Sequence, residues 1–495
     1  MKSVSVIGAG FSGLSSACLL AKAGYQVTVF EKNETSGGRA RKFSTDGFTF
    51  DMGPSWYWMP DVFDNFFNCF QKRTEDYYKL IRLDPSYRIY YGKNDFMDVP
   101  AGKEELFELF EKIEKGSGNK LDEFLKEGKY KYELGMKELV YKPGLSISEL
   151  IDPKLFAGAF RLHVFQSISS YIRKFFKNKR LIQLLEFPVL FLGSTPDKTP
   201  ALYSLMNYAD MSLGTWYPHG GMHKIIEGME SLAGSLGVEF KFNNAISKLE
   251  FNCTKVDGLW ASEQFYPCNY VVGSADYHHI EQQLLPEKFK KYDEQYWNKK
   301  TMAPSSLLFY LGLNKKIKGL LHHTLFFDED FTLHAHEIYE NPQWPTAPQF
   351  YVSCPSKTDD TVAPEGCENI LILIPVASGL SDNDKTREKY FDIVMNRLEH
   401  ILGESLREHI LFKRSYAHND FVNDYNAYRG NAYGLANTLM QTANLRPTIT
   451  SNKLSNLFYT GQLTVPGPGV PPAIISGQVV ARELISRDKK NNNSK

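Results

Sequence analysis

Three glycines near the start of the chain, Gly8, Gly10 and Gly13, have the spacing of a turn that cradles phosphate. Gly8 permits a tight strand-to-helix turn, Gly10 lets backbone N–H groups approach a pyrophosphate, and Gly13 lets the helix pack closely on the strand. The helix N-terminus then offers unpaired N–H groups and a partial positive charge. Glu31, at roughly the twenty-residue offset such sites use, can accept hydrogen bonds from both hydroxyls of an adenosine ribose. Two more glycines, Gly37 and Gly38, precede Arg39, which can pair a phosphate bidentately. Arg41 reads equally well as a solvated surface charge. The chemistry implied is dinucleotide binding.

These residues need particular elements to hold them. Val4-Ser5-Val6-Ile7 reads as a buried strand, residues 14–23 as a helix, and Val27-Thr28-Val29-Phe30 as a second strand ending at Glu31. Together they form a βαβ unit. A second signal lies at the other end of the chain. Leu457-Phe458-Tyr459-Thr460-Gly461 reads as a strand running into a loop rich in glycine and proline, and residues 473–485 read as a helix. Pro471 and Pro472 suit a first helical turn, where a missing N–H costs nothing. Such a loop makes sense where a flat ring must lie against backbone and a helix N-terminus must meet negative charge.

The chain between has 495 residues, enough for two or three interleaved lobes. Its 57 acidic and 57 basic residues cancel, so nothing points to nucleic acid. Aromatics reach 14%, as core or as the lining of a long apolar cavity, and composition does not choose. The six cysteines show no metal-ligand spacing and read as reduced intracellular thiols. No apolar run is long enough to span a bilayer, and a strand starting at Val4 leaves no room for a leader; the expected location is cytoplasmic.

Residues 1–95 are expected to hold the first part of the nucleotide domain, 96–205 a helical lobe, and 206–295 the second part. Residues 296–424 are expected to form a substrate lobe with a sheet, 425–487 the third part, and 488–495 a disordered tail. In the helical lobe, helices are expected over 155–176 and 181–192. There Arg161, Arg173, Lys174, Lys177, Lys179 and Arg180 alternate with Phe156, Phe160, Phe165, Tyr171, Phe175 and Phe176, a pattern suited to anionic lipid heads.

Taken together, Gly8 to Gly13, Gly37-Gly38-Arg39, Phe50-Asp51-Met52-Gly53-Pro54-Ser55, Trp216 to Gly221, Ala363-Pro364-Glu365-Gly366-Cys367 and Gly461 to Pro471 resemble bacterial phytoene desaturase-type carotenoid desaturases of the flavin amine oxidase superfamily. The resemblance covers essentially the full length. It implies an α/β fold: a Rossmann-like FAD-binding domain, an interleaved α+β substrate lobe and a helical, membrane-facing lobe. It also implies FAD as cofactor, held by Gly8, Ala9, Gly10, Phe11, Ser12, Gly13, Glu31 and Lys32 in the first turn. The second turn would add Gly38, Arg39, Ala40, Gly53, Pro54 and Ser55, with Ile246 touching adenine through its backbone. Gly461, Gln462, Gly469 and Val470 would close the flavin end. Gln462 departs from an acid common at that place; its amide can still bond a ribityl hydroxyl.

The implied reaction introduces double bonds into a C40 polyene, with hydride passing from an allylic CH₂ to flavin N5 and a proton lost from the neighbouring carbon. Oxygen or a quinone would be the electron acceptor, and the substrate would be drawn from the inner membrane by a peripherally bound protein. Alternatives are a desaturase of a hydroxylated or cyclised carotenoid (a 3,4-desaturase), a carotene isomerase, and a non-catalytic prenyl-lipid carrier of the GDP-dissociation-inhibitor fold. No acid–base pair and no metal site emerge; His219, Asp276, Arg161 and His163 read as structural rather than catalytic.

Overall fold

The computed structural model describes residues 1–146, 149, 162–190 and 193–493. A five-stranded parallel sheet forms the nucleotide domain, in the order Leu457–Tyr459, Tyr270–Gly273, Ser3–Ile7, Gln26–Phe30 and Glu239–Lys241. Its register decides where the site lies. Ile7 pairs with both Phe30 and Gly273, and Gly273 pairs with Tyr459. The turns that start at Gly8, Glu31, Ser274 and Thr460 therefore leave the same carboxyl edge, where ligands of open parallel sheets bind.

Helix Phe11–Lys22 packs between the helices Val470–Asn493 and His223–Ser235. Two glycines make that contact close. A Cβ on Gly13 would lie 2.1 Å from the Gly8 carbonyl oxygen, and one on Gly477 would lie 2.3 Å from that of Ser12.

A seven-stranded sheet forms the second lobe, in the order Ile410–Tyr416, Ser305–Leu313, Glu368–Val376, Phe350–Ser353, His323–Phe326, Tyr87–Gly92 and Asp95–Val99. All neighbours are antiparallel except His323–Phe326 and Tyr87–Gly92. Every residue of Ser305–Leu313 is buried, which explains its unbroken apolar run. Leu307, Phe309 and Leu311 pack with Val394, Met395 and Leu398 of helix Asp384–Leu402, whereas Leu308 and Tyr310 join the core shared with the nucleotide domain.

Two expectations are corrected. The boundary near residue 95 falls inside a hairpin, because Tyr87–Gly92 and Asp95–Val99 both belong to the seven-stranded sheet. The tail is not disordered from 488: the last helix continues to Asn493, anchored by Asp488, whose carboxylate accepts from Lys2, from Tyr25 at 2.7 Å and from Tyr270 at 2.6 Å. In the helical lobe, part of the aromatic pattern is core. Helices Ile168–Phe175 and Lys179–Leu190 bury Tyr171 and Phe176 against Phe110 and Phe124, Arg173 pairs with Glu186, and Arg180 with Asp95. An amphipathic helix of a soluble core and one of an interface carry the same periodicity, so the pattern could not separate them. Among the described aromatics of the pattern, Phe165 is fully turned out, at 93% exposure, and Phe175 is half-buried; Phe156, Phe160 and Arg161 lie outside the described residues. No helix among the described residues is long and apolar enough to cross a membrane.

Candidate functional site

One cavity of about 540 Å³ runs along the carboxyl edge of the parallel sheet and continues to the seven-stranded sheet. Gly8, Gly10, Phe11 and Ser12 form its first wall. Gly8 needs its φ of +104°, and helix Phe11–Lys22 starts with no side-chain cap, so its first turn meets the cavity with free N–H groups. Ala9 and Gly13 lie behind this wall. The Ala9 N–H donates to Glu31 Oε2 at 2.8 Å, and Gly13 sets the helix-to-turn approach.

Glu31 is 5% exposed and lines the cavity. Its Oε1 accepts from the Asn33 N–H at 3.0 Å and from Asn33 Nδ2 at 2.9 Å. A carboxylate has about four acceptor sites, so one remains for a ribose hydroxyl. Lys32 also lines the cavity, its amine donating to the Asn423 carbonyl at 2.6 Å. Asn244, Ala245 and Ile246 close the cavity beside Glu31.

The second glycine turn docks on the first. The Gly37 N–H donates to the Ala9 carbonyl at 2.8 Å, and a Cβ on Gly38 would lie 3.5 Å from Gly10 Cα. Arg39 reaches into the cavity, donating from Nη2 to the Asn431 carbonyl at 3.1 Å and lying over the Tyr425 ring at 5.3 Å. With its amide oxygen toward the guanidinium, Gln462 accepts from Arg39 Nη2 at 2.9 Å and Nη1 at 3.2 Å. Arg39 Nε has no partner among the described residues. Burial pulls this guanidinium below its ordinary range, opposed by the Asp276 carboxylate.

Asp276, 7% exposed, caps the short helix after it, accepting from the His278 N–H at 3.1 Å, and accepts from the Tyr428 N–H at 3.3 Å. Burial pushes its carboxyl up, and the charge on Arg39 opposes the push. Arg41 is neither a solvated charge nor a cavity residue. It pairs with Asp424 at 2.5 Å and is 13% exposed.

The far wall comes from the C-terminal loop. Gly461, with φ +111°, sits so that a Cβ would be 3.3 Å from Ser12 Oγ. Gly469, Val470, Pro471 and Pro472 line the cavity at the start of the last helix. Of the three residues opening that helix, two are prolines, so Val470 carries the single free N–H. Gly53, Pro54 and Ser55 lead from Arg39 and Ala40 toward Trp56, Trp58 and Met59, where the lining changes from backbone and polar groups to aromatic rings.

The arrangement fits FAD. The glycine turns leave space a Cβ would fill, the helix start and Arg39 offer donors to a pyrophosphate, and Glu31 keeps an acceptor for ribose. Sequence reasoning missed the aromatic end: Trp56, Trp58, Tyr351, Leu308, Leu373 and Tyr433 come from five separate stretches, three of them strands of the second sheet. The small-residue turn Ser274-Ala275, which follows strand Tyr270–Gly273, also lines the cavity. Ala363 to Cys367 does not. It is a turn whose Pro364 meets Gly47, joining the hairpin at residues 42–51 to the second sheet. Trp216 to Gly221 is also outside, its Gly220 N–H donating to Asp359 at 2.6 Å. His219 is exposed beside Asp359, and His163 packs on Tyr171; neither lines the cavity.

A family profile described as flavin containing amine oxidoreductase matches residues 11–485. The chain is 40% identical to a carotenoid 3,4-desaturase of Haloarcula japonica, over 97% of its own length and 98% of the relative's. It is 30% identical to a zeta-carotene-forming phytoene desaturase of Myxococcus xanthus, over 97% and 93%. The fold is similar to that of an oxidoreductase from Methanosarcina mazei, with a TM-score of 0.64 at 17% identity, covering 97% of this chain and 100% of the other.

Proposed function

We propose that this chain, which belongs to the flavin containing amine oxidoreductase family, is an FAD-dependent carotenoid desaturase that oxidises CH–CH bonds of a C40 polyene. One observation carries the reading. A single cavity passes from a dinucleotide cradle to an aromatic, apolar chamber, as an enzyme joining flavin to a long hydrocarbon requires. FAD supplies, when bound, the acceptor for a hydride leaving an allylic CH₂. The chain supplies the rest. The turns at Gly10 and Gly38 with Arg39 would hold the pyrophosphate, Glu31 the ribose, and Gln462 the ribityl chain. Trp56, Trp58 and Tyr351 pack the polyene, fix which carbons face the ring and exclude water.

The higher identity to the 3,4-desaturase favours the 3,4 position, with the phytoene reaction as the second reading. The carrier and isomerase alternatives have no such support, since the relatives' names are those of desaturases. The protein works in the cytoplasm at the inner membrane, with oxygen or a quinone as final acceptor. Its exposed apolar side chains Phe165, Met440 and Leu445 are the residues that would meet lipid, because a C40 hydrocarbon resides in the bilayer.

The test is co-expression with a phytoene-producing pathway and, separately, with one yielding a carotenoid already desaturated along its centre. Products are read by chromatography and absorption. A red shift in the second host alone supports 3,4-desaturation, and a shift in the first supports the phytoene reaction. Unchanged carotenoids in both hosts would remove the desaturase reading.

A further inference from the structure

We propose that Tyr351, backed by His323, accepts the proton that the carotenoid loses from the carbon next to the hydride donor; the proposal rests on the desaturase reading. Tyr351 lies on strand Phe350–Ser353, is 3% exposed, and lines both the main cavity and a smaller apolar one of about 50 Å³ beneath helix Phe331–Tyr339. It therefore stands where a polyene would pass from one to the other. Its hydroxyl is 2.6 Å from Nδ1 of His323, a fully buried residue on the neighbouring strand. The imidazole lies flat against the indole of Trp56, with centroids 4.0 Å apart and planes 15° apart, and Trp56 is itself cavity wall.

His323 Nε2 has no hydrogen-bond partner among the described residues. An unpaired buried polar atom costs about 1–3 kcal/mol, so the site keeps this ring at some expense of stability. Here one nitrogen is spent on the phenol and the ring on an aromatic face. The other groups around the pair are few: the His322 ring at 4.5 Å, Cys354 and Tyr433 beside the phenol, the hydroxyls of Ser55 and Ser353, and Asp359 beyond His322. Burial, with His322 adding to it, holds His323 well below its ordinary range, so the resting ring is neutral and its Nδ1 can accept from the phenol.

The step balances as follows. The C–H bond next to the electron-poor carbon breaks, and its electron pair becomes the second bond of the new alkene. An O–H bond forms at Tyr351 Oη while the phenol's own proton moves to His323 Nδ1. FAD is the oxidant. The resulting imidazolium faces the indole ring of Trp56, which favours a cation. Reverse passage through Tyr351 returns the proton to water once product has left.

The test uses the purified holoenzyme with carotenoid delivered in liposomes, and the variants Y351F, H323Q and the double mutant. Y351F should keep its yellow flavin absorption, bind polyene with unchanged quenching of tryptophan fluorescence, and hold KM within about twofold while kcat falls roughly 100-fold or more. H323Q should lose a similar factor, and the double variant no more than Y351F alone, because the two residues act as one unit. A Y351F kcat within about threefold of wild type, or losses that multiply in the double variant, would overturn the dyad. If H323Q fails to hold FAD, Y351F decides. A wild-type enzyme that desaturates no carotenoid removes the underlying reading and the dyad with it. Turnover by wild type with an equally active Y351F removes the dyad alone.

Discussion

Gly10→Ala separates cofactor binding from folding. Gly10 has φ −79° and ψ −179°, ordinary extended backbone, and a Cβ built on it meets no protein atom within 4 Å. The apoprotein should therefore unfold within about 0.5 kcal/mol of wild type, as surface substitutions do. The added methyl instead occupies the cavity that Gly10 lines. A phosphate held about 2.9 Å from backbone nitrogens would have to withdraw by roughly 1 Å, beyond hydrogen-bond range. Charge-assisted bonds contribute about 1.5–3 kcal/mol each, so losing one or part of two costs about 2–4 kcal/mol, or roughly 30- to 1,000-fold in FAD affinity. Gly13→Ala is the counterpart. Its Cβ would lie 2.1 Å from the Gly8 oxygen, so helix and turn must part, at about 1–3 kcal/mol of stability, before any ligand arrives. Calorimetric titration of apoprotein with FAD and thermal melting of the apo form measure the two effects. FAD affinity in Gly10→Ala within about threefold of wild type would refute the placement of the pyrophosphate at this turn.

Burial pushes the imidazole of His322 down to about 3, against a weaker upward pull from Asp359, so its stabilising share is complete above pH 6.5 and is lost as pH falls. His322→Asn should reduce the loss of unfolding free energy between pH 6 and pH 4 by about 1.4 kcal/mol per unit, read from urea titrations at several pH values. Asp488→Ala should lower stability by about 1–3 kcal/mol, since the hydroxyls of Tyr25 and Tyr270 and the amine of Lys2 lose their shared acceptor; a disordered tail would give no change in a melting curve. Replacing Phe165 and Met440, exposed by 93% and 74%, with serine should weaken liposome partitioning roughly tenfold or more, with unaltered melting; equal partitioning would move the lipid contact elsewhere.

The nucleotide cradle was legible in the sequence because its causes are local. Gly8, Gly10 and Gly13 act through spacing within one turn, Glu31 follows at the end of the next strand, and the prolines after Gly469 can only open a helix. The motif at Ala363 to Cys367 was specific as a pattern, yet it serves a turn far from the cavity wall.

What the tertiary structure alone decided depends on contacts between residues hundreds of positions apart. Asp488 is ordered because Lys2, Tyr25 and Tyr270 surround it, and no local preference announces that. Tyr171 and Phe176 of the helical lobe turned inward because Phe110 and Phe124 were there to meet them. Arg41 found Asp424 across the domain and left the surface. Tyr351 and His323 became neighbours of Trp56 through the order of strands in the second sheet. Sequence periodicity states which face of an element is apolar, but not what that face will meet. The cofactor end of the cavity is written in short-range backbone geometry, and its substrate end in long-range packing.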